Sequence, residues 1–340
     1  SYVSSRLNEG QSDQQIFHFL MTQQRELDGL RQSLQQWIRT AREPFHQTMR
    51  QQASDRLVAC WREGLYRNGE PSSYLNLEFD LDWIGEFPVL QADFSHVRTL
   101  KLDADLLMSE PDMGFVRRFT GVERLELSVE CAELLGVPEG LGQLPQIKDL
   151  ALSARWQGFS RTFIEQLRTV AHIERLSLTG ALETLDVSGW PRLRALRVHG
   201  NLEQWPIGVL DLQHLDTLDL SGASINTLPE QLFAGHSRLW RGMHLNWSNI
   251  DPASVMKAYE FLRDNPAHLL DLSQWITDYC RGSIKQFVPH DLQFRDMVMA
   301  QYASQGQGLS ELLVRVNTLH AEHRALNLAL DVWIHKQPTT

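Results

Sequence analysis

Cysteine is scarce: the 340 residues contain three, Cys60, Cys131 and Cys280, and an odd count of widely spaced thiols excludes a small disulfide-stapled secreted scaffold. A reducing compartment, or free thiols, is the expected setting. Positive charge is also in deficit. There are 32 basic against 42 acidic side chains, a formal net charge of −10, and no run of Lys or Arg, so the dense positive field that phosphate backbones require is missing and nucleic acid is not an expected partner. No stretch approaches the ~18 uninterrupted apolar residues of a membrane span. The first residues, Ser1-Tyr2-Val3-Ser4-Ser5-Arg6, offer neither an initiator Met nor an apolar signal core, and they read as the start of a piece excised from a longer polypeptide. Motifs of small-molecule chemistry are missing too: the sequence has no G-x-S-x-G, no P-loop and no dinucleotide fingerprint, and no cofactor is expected. With 42% apolar residues the chain is nevertheless an ordinary globular composition, long enough for two or three domains.

What the sequence does have is repetition. Two apolar residues separated by one, usually with a third apolar residue three positions earlier, recur as Leu75/Leu77, Leu100/Leu102, Leu125/Leu127, Leu150/Leu152, Leu176/Leu178, Leu185/Val187, Leu196/Val198, Leu218/Leu220 and Met243/Leu245. Successive pairs are 25, 25, 25, 26, 9, 11, 22 and 25 residues apart; the steps of 9 and 11 together make one shorter repeat carrying an extra strand-like motif. Alternation of this kind is the signature of a short strand with one buried face, and a repeat of 20 to 29 residues is that of leucine-rich repeats. A single such unit cannot bury its own apolar face, whereas stacked neighbours can. The segment from Leu215 to Pro229, with Glu230-Gln231-Leu232-Phe233 after it, resembles the bacterial leucine-rich repeat family closely. That family usually places Asn three residues after the second leucine; here only Asn201 does so among nine slots, which predicts a degenerate ladder.

Helical signals lie at both ends. Ser12-Asp13-Gln14-Gln15 reads as a capping box, followed by Ile16, Leu20, Leu27, Leu30, Leu34 and Trp37 on one face of a long helix. Pro44 interrupts it, and Met49, Leu57, Val58, Trp61 and Leu65 mark a second helix. After the repeats, Asp251-Pro252 is an N-cap with a proline in the first turn, and the remaining third is mainly helical. The expected architecture is α/β: a helical cap over residues 1–68, a leucine-rich repeat solenoid with a parallel sheet on its concave face over 69–250, and a helical region over 251–340. One comparison joins the ends. Glu26, Leu30, Leu34 and Trp37 recur as Glu322, Leu326, Leu330 and Trp333, all at an offset of 296. Two amphipathic helices of common period explain this by default; the alternative is that the end of the chain begins another unit like the first.

Three further segments, Arg25-Glu26-Leu27-Asp28-Gly29-Leu30, Leu57-Val58-Ala59-Cys60-Trp61-Arg62 and Asp93-Phe94-Ser95-His96-Val97-Arg98-Thr99-Leu100, together look like a family of large bacterial proteins similar to secreted toxins and effectors. The likeness covers roughly residues 10 to 250. In that family a toxin-like N-terminal region leads into leucine-rich repeats, and many members end in a NEL-class ubiquitin ligase domain. The resemblance implies a bacterial protein, secreted or delivered into a host cell, whose repeats recognise a protein partner, either a host protein or another part of the parent chain. The ligase needs a nucleophilic cysteine in C-x-D, which reacts as a thiolate. Here the cysteines read Cys60-Trp61-Arg62, Cys131-Ala132-Glu133 and Cys280-Arg281-Gly282, so no catalytic residue is assigned in this chain. The expectation is a non-catalytic target-recognition module; the alternatives are the substrate-recognition part of a NEL-type ligase, tested by a thioester on Cys280, and a structural spacer within a giant toxin.

The binding face expected on these grounds is the open side of the sheet, where residues between the paired leucines point outwards: Lys101, Glu126, Asp186, Arg197, Asp219 and His244, with His199 in the next outward column and Arg175 at a strand start. Those columns carry no Trp, Tyr or Phe, and tight interfaces usually have such anchors, so an ordinary solvated sheet surface is an equal reading. Among the ten tryptophans, Trp190-Pro191 and Trp205-Pro206 are either buried by closing loops or exposed as anchors, burial being the default. His320 and His323 sit three apart on a helix but lack a third ligand, so no metal site is assigned. Cys280 with His290 and Asp291 suggests a nucleophilic trio, although a cysteine beside Tyr279 on an apolar face is more often buried.

Overall fold

The computed structural model describes residues 10–66, 73–78, 86–103, 110–129, 139–154, 158–269, 271–287, 293, 296, 297, 300 and 308–335. It is an α/β protein in which every described strand pairs in parallel. The chain divides into two compact units, residues 1–182 with 189–193, and 183–188 with 194–340. The division runs through the repeat region.

In the first unit, helix α1 (Asp13–Arg39) opens on the capping box: the Gln15 amide donates to Ser12 Oγ and the Ser12 amide to Gln15 Oε1. Pro44 begins helix α2 (Pro44–Tyr66) instead of merely ending the first, because proline lacks an amide hydrogen and the first helical turn does not use one. Leu30, Leu34 and Trp37 of α1 are buried, as are Ala53, Leu57, Cys60 and Trp61 of α2. Arg50 lies over the Trp37 ring, 5.0 Å from its centroid, and donates to the Trp37 carbonyl and to Thr40 Oγ1. Two longer-range bonds fix α1 to the following chain: Trp37 Nε1–H donates to the Glu86 carbonyl at 2.8 Å, and the Asp93 amide donates to the Glu26 carboxylate at 2.7 Å.

Five strands follow: β1 (Ser73–Glu78), β2 (Val97–Asp103), β3 (Arg124–Val129), β4 (Asp149–Ala154) and β5 (Arg175–Thr179). Each pairs with the next in sequence, and the paired leucines stand in register: Leu75 with Leu100, Leu125, Leu150 and Leu176 in turn, and Leu77 with Leu102, Leu127, Leu152 and Leu178. Leu100, Leu102, Leu125, Leu150, Leu152, Leu176 and Leu178 are buried, while Leu127 is half-buried. The third apolar position of the repeat is buried as well, at Val97, Val122, Ile147 and Ile173. The same tight turn precedes successive strands, with the amides of Val97, Val122 and Ile147 donating to the carbonyls of Phe94, Phe119 and Leu144. Just before the strands, a second backbone ladder links equivalent residues: Glu123 donates to Arg98, Lys148 to Glu123, and Glu174 to Lys148. Short helices α3 (Glu110–Arg117), α4 (Glu139–Gly142) and α5 (Arg161–Leu167) occupy the returns, and Phe115, Leu141, Phe163 and Leu167 are buried there.

In the second unit, β6 (Ala195–His199), β7 (Thr217–Gly222) and β8 (Met243–Leu245) pair in the same order. The expected strand Leu185/Val187 differs: Asp186 makes an isolated parallel bridge to Ile207, with the Val187 amide donating to the Ile207 carbonyl and the Ile207 amide to the Leu185 carbonyl. Its apolar pair is buried all the same, so the L-x-L pattern reports burial correctly while its backbone pairs with a loop. Helix α6 (Ser237–Arg241) leads to an aromatic cluster in which Trp240 stacks on Trp247 at 6.3 Å and packs on Phe233 and Phe261, and Trp247 meets Trp275 edge-on at 5.0 Å. Helix α7 (Pro252–Asp264) is capped by Asp251, which accepts from the Ser254 amide. Helices α8 (Leu272–Phe287) and α9 (Gly308–His335) complete the unit, with Leu312, Leu313, Val316, Asn317 and His320 of α9 buried. Among the described residues, no helix is long and apolar enough to cross a membrane.

Candidate functional site

Strand alternation places a surface opposite the buried leucines. In the first unit Lys101, Glu126, Ala151 and Ser177 pair in register from β2 to β5, forming one outward column, and Asn76 of β1 takes the same register position. A second column, Thr99, Arg124, Asp149 and Arg175, runs at the start of the strands. Of the expected binding residues, Lys101 and Glu126 are half-buried neighbours and Arg175 is exposed beside Asp149 in register.

The residue that organises this surface is Arg124, which sequence reasoning passed over. Its Nε lies 2.7 Å from Glu126 and its Nη1 2.5 Å from Asp149. Burial works against the guanidinium's charge, but the hydrogen-bonded carboxylates of Asp149 and Glu126 outweigh it and hold the group more firmly protonated. Glu126 is thereby tied into the sheet surface. The signal that would have found this pair is the 25-residue step itself, which sets Arg124 beside Asp149. At the pre-strand ladder the side chains alternate in sign, Arg98, Glu123, Lys148 and Glu174, and Arg98 reaches Glu123 at 3.4 Å.

In the second unit Arg197, Asp219 and His244 share a column. Arg197 Nε stands 3.7 Å from Asp219. The Asp219 carboxylate accepts from the amide and hydroxyl of Ser221, at 3.1 and 2.6 Å. Burial alone would raise its pKa; the Ser221 bonds and the charges of Arg197 and His244 overcome that and hold it below the usual range. Asp186 stands apart from this column because of its bridge to Ile207, yet it holds Ser188 by the same pair of bonds, at 3.0 and 2.5 Å. Asn246 and Ser248 make the hydroxyl half of that turn, at 2.6 Å. The recurring Asp/Asn-x-Ser at Asp186, Asp219 and Asn246 is a second signal present in the sequence and not used. His199 pairs with Gly222, one residue beyond Ser221, because the register shifts between Arg197 and His199. A Cβ on Gly222 would stand 2.1 Å from His199 Nδ1, so the ring occupies the space a side chain would need.

Most of the other candidates that the structure describes are buried. Cys60 and Cys280 are buried, and burial pushes both thiols up to about 12, with Glu63 adding to the effect at Cys60. His96 Nε2 lies 3.8 Å from Cys60 Sγ but 2.8 Å from the Cys60 carbonyl, so the ring donates to the backbone and has no lone pair there to take the thiol proton. Cys131, Trp156, His290 and Asp291 lie outside the described residues. Trp190 is wholly buried and donates to the Leu167 carbonyl at 3.3 Å, which removes it as an exposed anchor, and Trp205 is half-buried. His320 is buried, its Nδ1 3.4 Å from the Tyr279 hydroxyl; that hydroxyl donates to Asn317 Oδ1 at 2.8 Å, and Asn317 Nδ2 donates to the Pro252 carbonyl at 3.0 Å. Among the described residues no group of three or more His, Cys, Asp or Glu could hold a metal ion. Neither a scan against protein-family models nor a search of curated proteins finds a match for this chain.

Proposed function

We propose that the parallel strands are the inner face of a leucine-rich repeat solenoid, and that this chain is the target-recognition module of a larger bacterial effector or toxin-like protein, binding a protein partner through the outward columns. The observation that carries the reading is the register itself. Consecutive strands from β2 to β5, with leucines in register on one side and Lys101, Glu126, Ala151 and Ser177 in register on the other, make an extended surface, which suits recognition of another protein's surface better than capture of a small molecule. The fixed Arg124–Glu126–Asp149 group supports it further, since a preorganised charge set loses little side-chain freedom on binding. The burial of Cys60 and Cys280 supports placing any thioester chemistry on a residue other than these two.

The test is site-specific photocrosslinking in the full chain, with the reactive residue at Lys101 or at the exposed Val89 as a control, incubated with host-cell extract. A discrete adduct formed from position 101, absent from position 89, and lost with Arg124→Glu is the expected result. Equal labelling from both positions, or none from 101 in a folded chain, refutes the assignment of this face. A reductant-sensitive ubiquitin adduct, formed on mixing the chain with a charged conjugating enzyme, overturns the non-catalytic reading.

A further inference from the structure

Helices α1 and α2 pack together across the short link at 40–43, and polar rows run beside their buried one. On α2, Ser54, Val58 and Arg62 follow one another at four-residue steps, and so do Gln51, Asp55 and Ala59, which sets two adjacent rows along one side of the helix. Arg31 and Gln35 of α1 are again four apart and form a third row. These rows line a cavity of about 340 Å³ within the first unit.

The charges in this lining do not balance. Arg31 enters it from one helix and Arg62 from the other, and among the described residues neither guanidinium has an ion-pair or hydrogen-bond partner. Asp55 is the single acid of the lining, and its Oδ1 already accepts from Gln51 Nε2 at 2.9 Å. A hydroxyl is left over as well. Ser54 is only 7% exposed, yet among the described residues its Oγ neither donates nor accepts a hydrogen bond, although a helical serine can turn to the carbonyl four residues back. Two cationic forks and a buried hydroxyl thus open on one cavity as donors without an acceptor.

We propose that this cavity binds a phosphoryl group, as inorganic phosphate or as a small phosphate monoester. A guanidinium donates two parallel N–H bonds to an oxyanion. A carboxylate satisfies one such fork and leaves the second positive charge uncompensated, whereas a phosphate dianion answers both and keeps an oxygen for the Ser54 hydroxyl. Asp55 sets the upper limit on charge: with two positive groups against one negative, the lining suits a single dianion better than a polyphosphate. The cavity is larger than the anion alone, since a water takes about 30 Å³ in the liquid, and Val58 and Ala59 offer an apolar wall for a substituent of a few carbons. The site lies on the helices and not on the sheet columns, so the inference is independent of the partner-recognition reading.

The experiment is isothermal titration calorimetry of the full chain with sodium phosphate, propyl phosphate and sodium acetate, at constant ionic strength and about pH 8, where the phosphates are dianions. One-site binding of the phosphates with a Kd of about 1 mM or tighter, and no binding of acetate in that range, is the expected result. Arg31→Gln and Arg62→Gln should each weaken it about tenfold or more, the loss of a charge-assisted hydrogen bond. Ser54→Ala should weaken it a few-fold and leave the urea midpoint in place, because that hydroxyl holds nothing in the fold. Asp55→Asn should tighten it by removing a like charge, a gain that damage to the helix pair does not produce. Tighter binding of propyl phosphate than of phosphate places the organic part on the Val58 and Ala59 wall; equal affinity assigns the site to free phosphate. No saturable binding of either phosphate to the folded chain overturns the proposal, as does binding that survives Arg31→Gln/Arg62→Gln or acetate that competes on equal terms.

Discussion

Leu150→Ala is the most direct probe of the stacked core. Leu150 is fully buried in β4, between Leu125 of β3 and Leu176 of β5, and the neighbouring strands hold it by backbone pairing on both sides. Truncation removes three carbons, about 2.4 kcal/mol at ~0.8 kcal/mol each. The flanking leucines are fixed by their own ladders and cannot collapse fully into the space, so a cavity cost adds to the transfer cost, for a total of about 3–5 kcal/mol. With a urea dependence of about 2 kcal/mol/M for a unit of this size, the unfolding midpoint falls by roughly 2 M. Tryptophan fluorescence follows the transition, because Trp37, Trp61 and Trp190 are buried in the same unit. The outward neighbour Ala151→Ser is the control and stays within about 0.5 kcal/mol of the parent. A midpoint shift under roughly 0.5 M for Leu150→Ala, or equal shifts for the two variants, refutes the inward–outward assignment on which the candidate face depends.

The remaining expectations are more local. Gly222→Ala sets a methyl 2.1 Å from the His199 ring and destabilises by about 1 kcal/mol, which His199→Ala largely restores in a double-mutant cycle; Gly242→Ala meets the Asp216 backbone oxygen at 1.7 Å and costs about 3 kcal/mol with no side-chain rescue. Additive effects of Gly222→Ala and His199→Ala would show that the ring does not occupy that space. Asp219 has its carboxyl held below the usual range in the folded chain, so its contribution is present above the unfolded value of about 4 and is lost as pH falls through the folded value; Asp219→Asn should flatten the acid-side loss of stability below about pH 4, measured by urea midpoints. Cys60 and Cys280, with thiols near 12, should be alkylated at pH 8 no faster than the chain opens, as read by peptide mass spectrometry in native and urea-treated samples. Rapid native labelling of either would contradict their burial.

The repeats were legible because burying alternate residues is a short-range periodicity, and Leu100, Leu102, Leu125, Leu150 and Leu176 carry it without interruption. What lies across from a strand is not written in that period. Leu185 and Val187 have the same pattern, yet their backbone meets Ile207, and the slip that sets His199 against Gly222 depends on which side chain is absent opposite. The helical ends show the same limit. The spacing of Ile16, Leu20, Leu30, Leu34 and Trp37 identifies residues that share a face, but not how far along that face a neighbour extends, and Leu20 is left in solvent. At the candidate face the individual positions were legible from alternation, while the bonds that lock them were not: Arg124 joins residues separated by 2 and by 25 positions at once.

The alternation of sign along the pre-strand ladder bears on how such a chain can change length over generations. Recombination between similar 25-residue blocks removes or adds whole repeats. Loss of the block containing Glu123 would bring Arg98 against Lys148, like charge on like, whereas loss of two adjacent blocks would bring Arg98 against Glu174 and keep the opposition. Each exposed pair is worth only about 0.2–1 kcal/mol, but the bias acts on loss of either interior block, that of Glu123 or that of Lys148, and in the same direction for both. Repeat number in descendants of this sequence should therefore move more readily in twos than in ones.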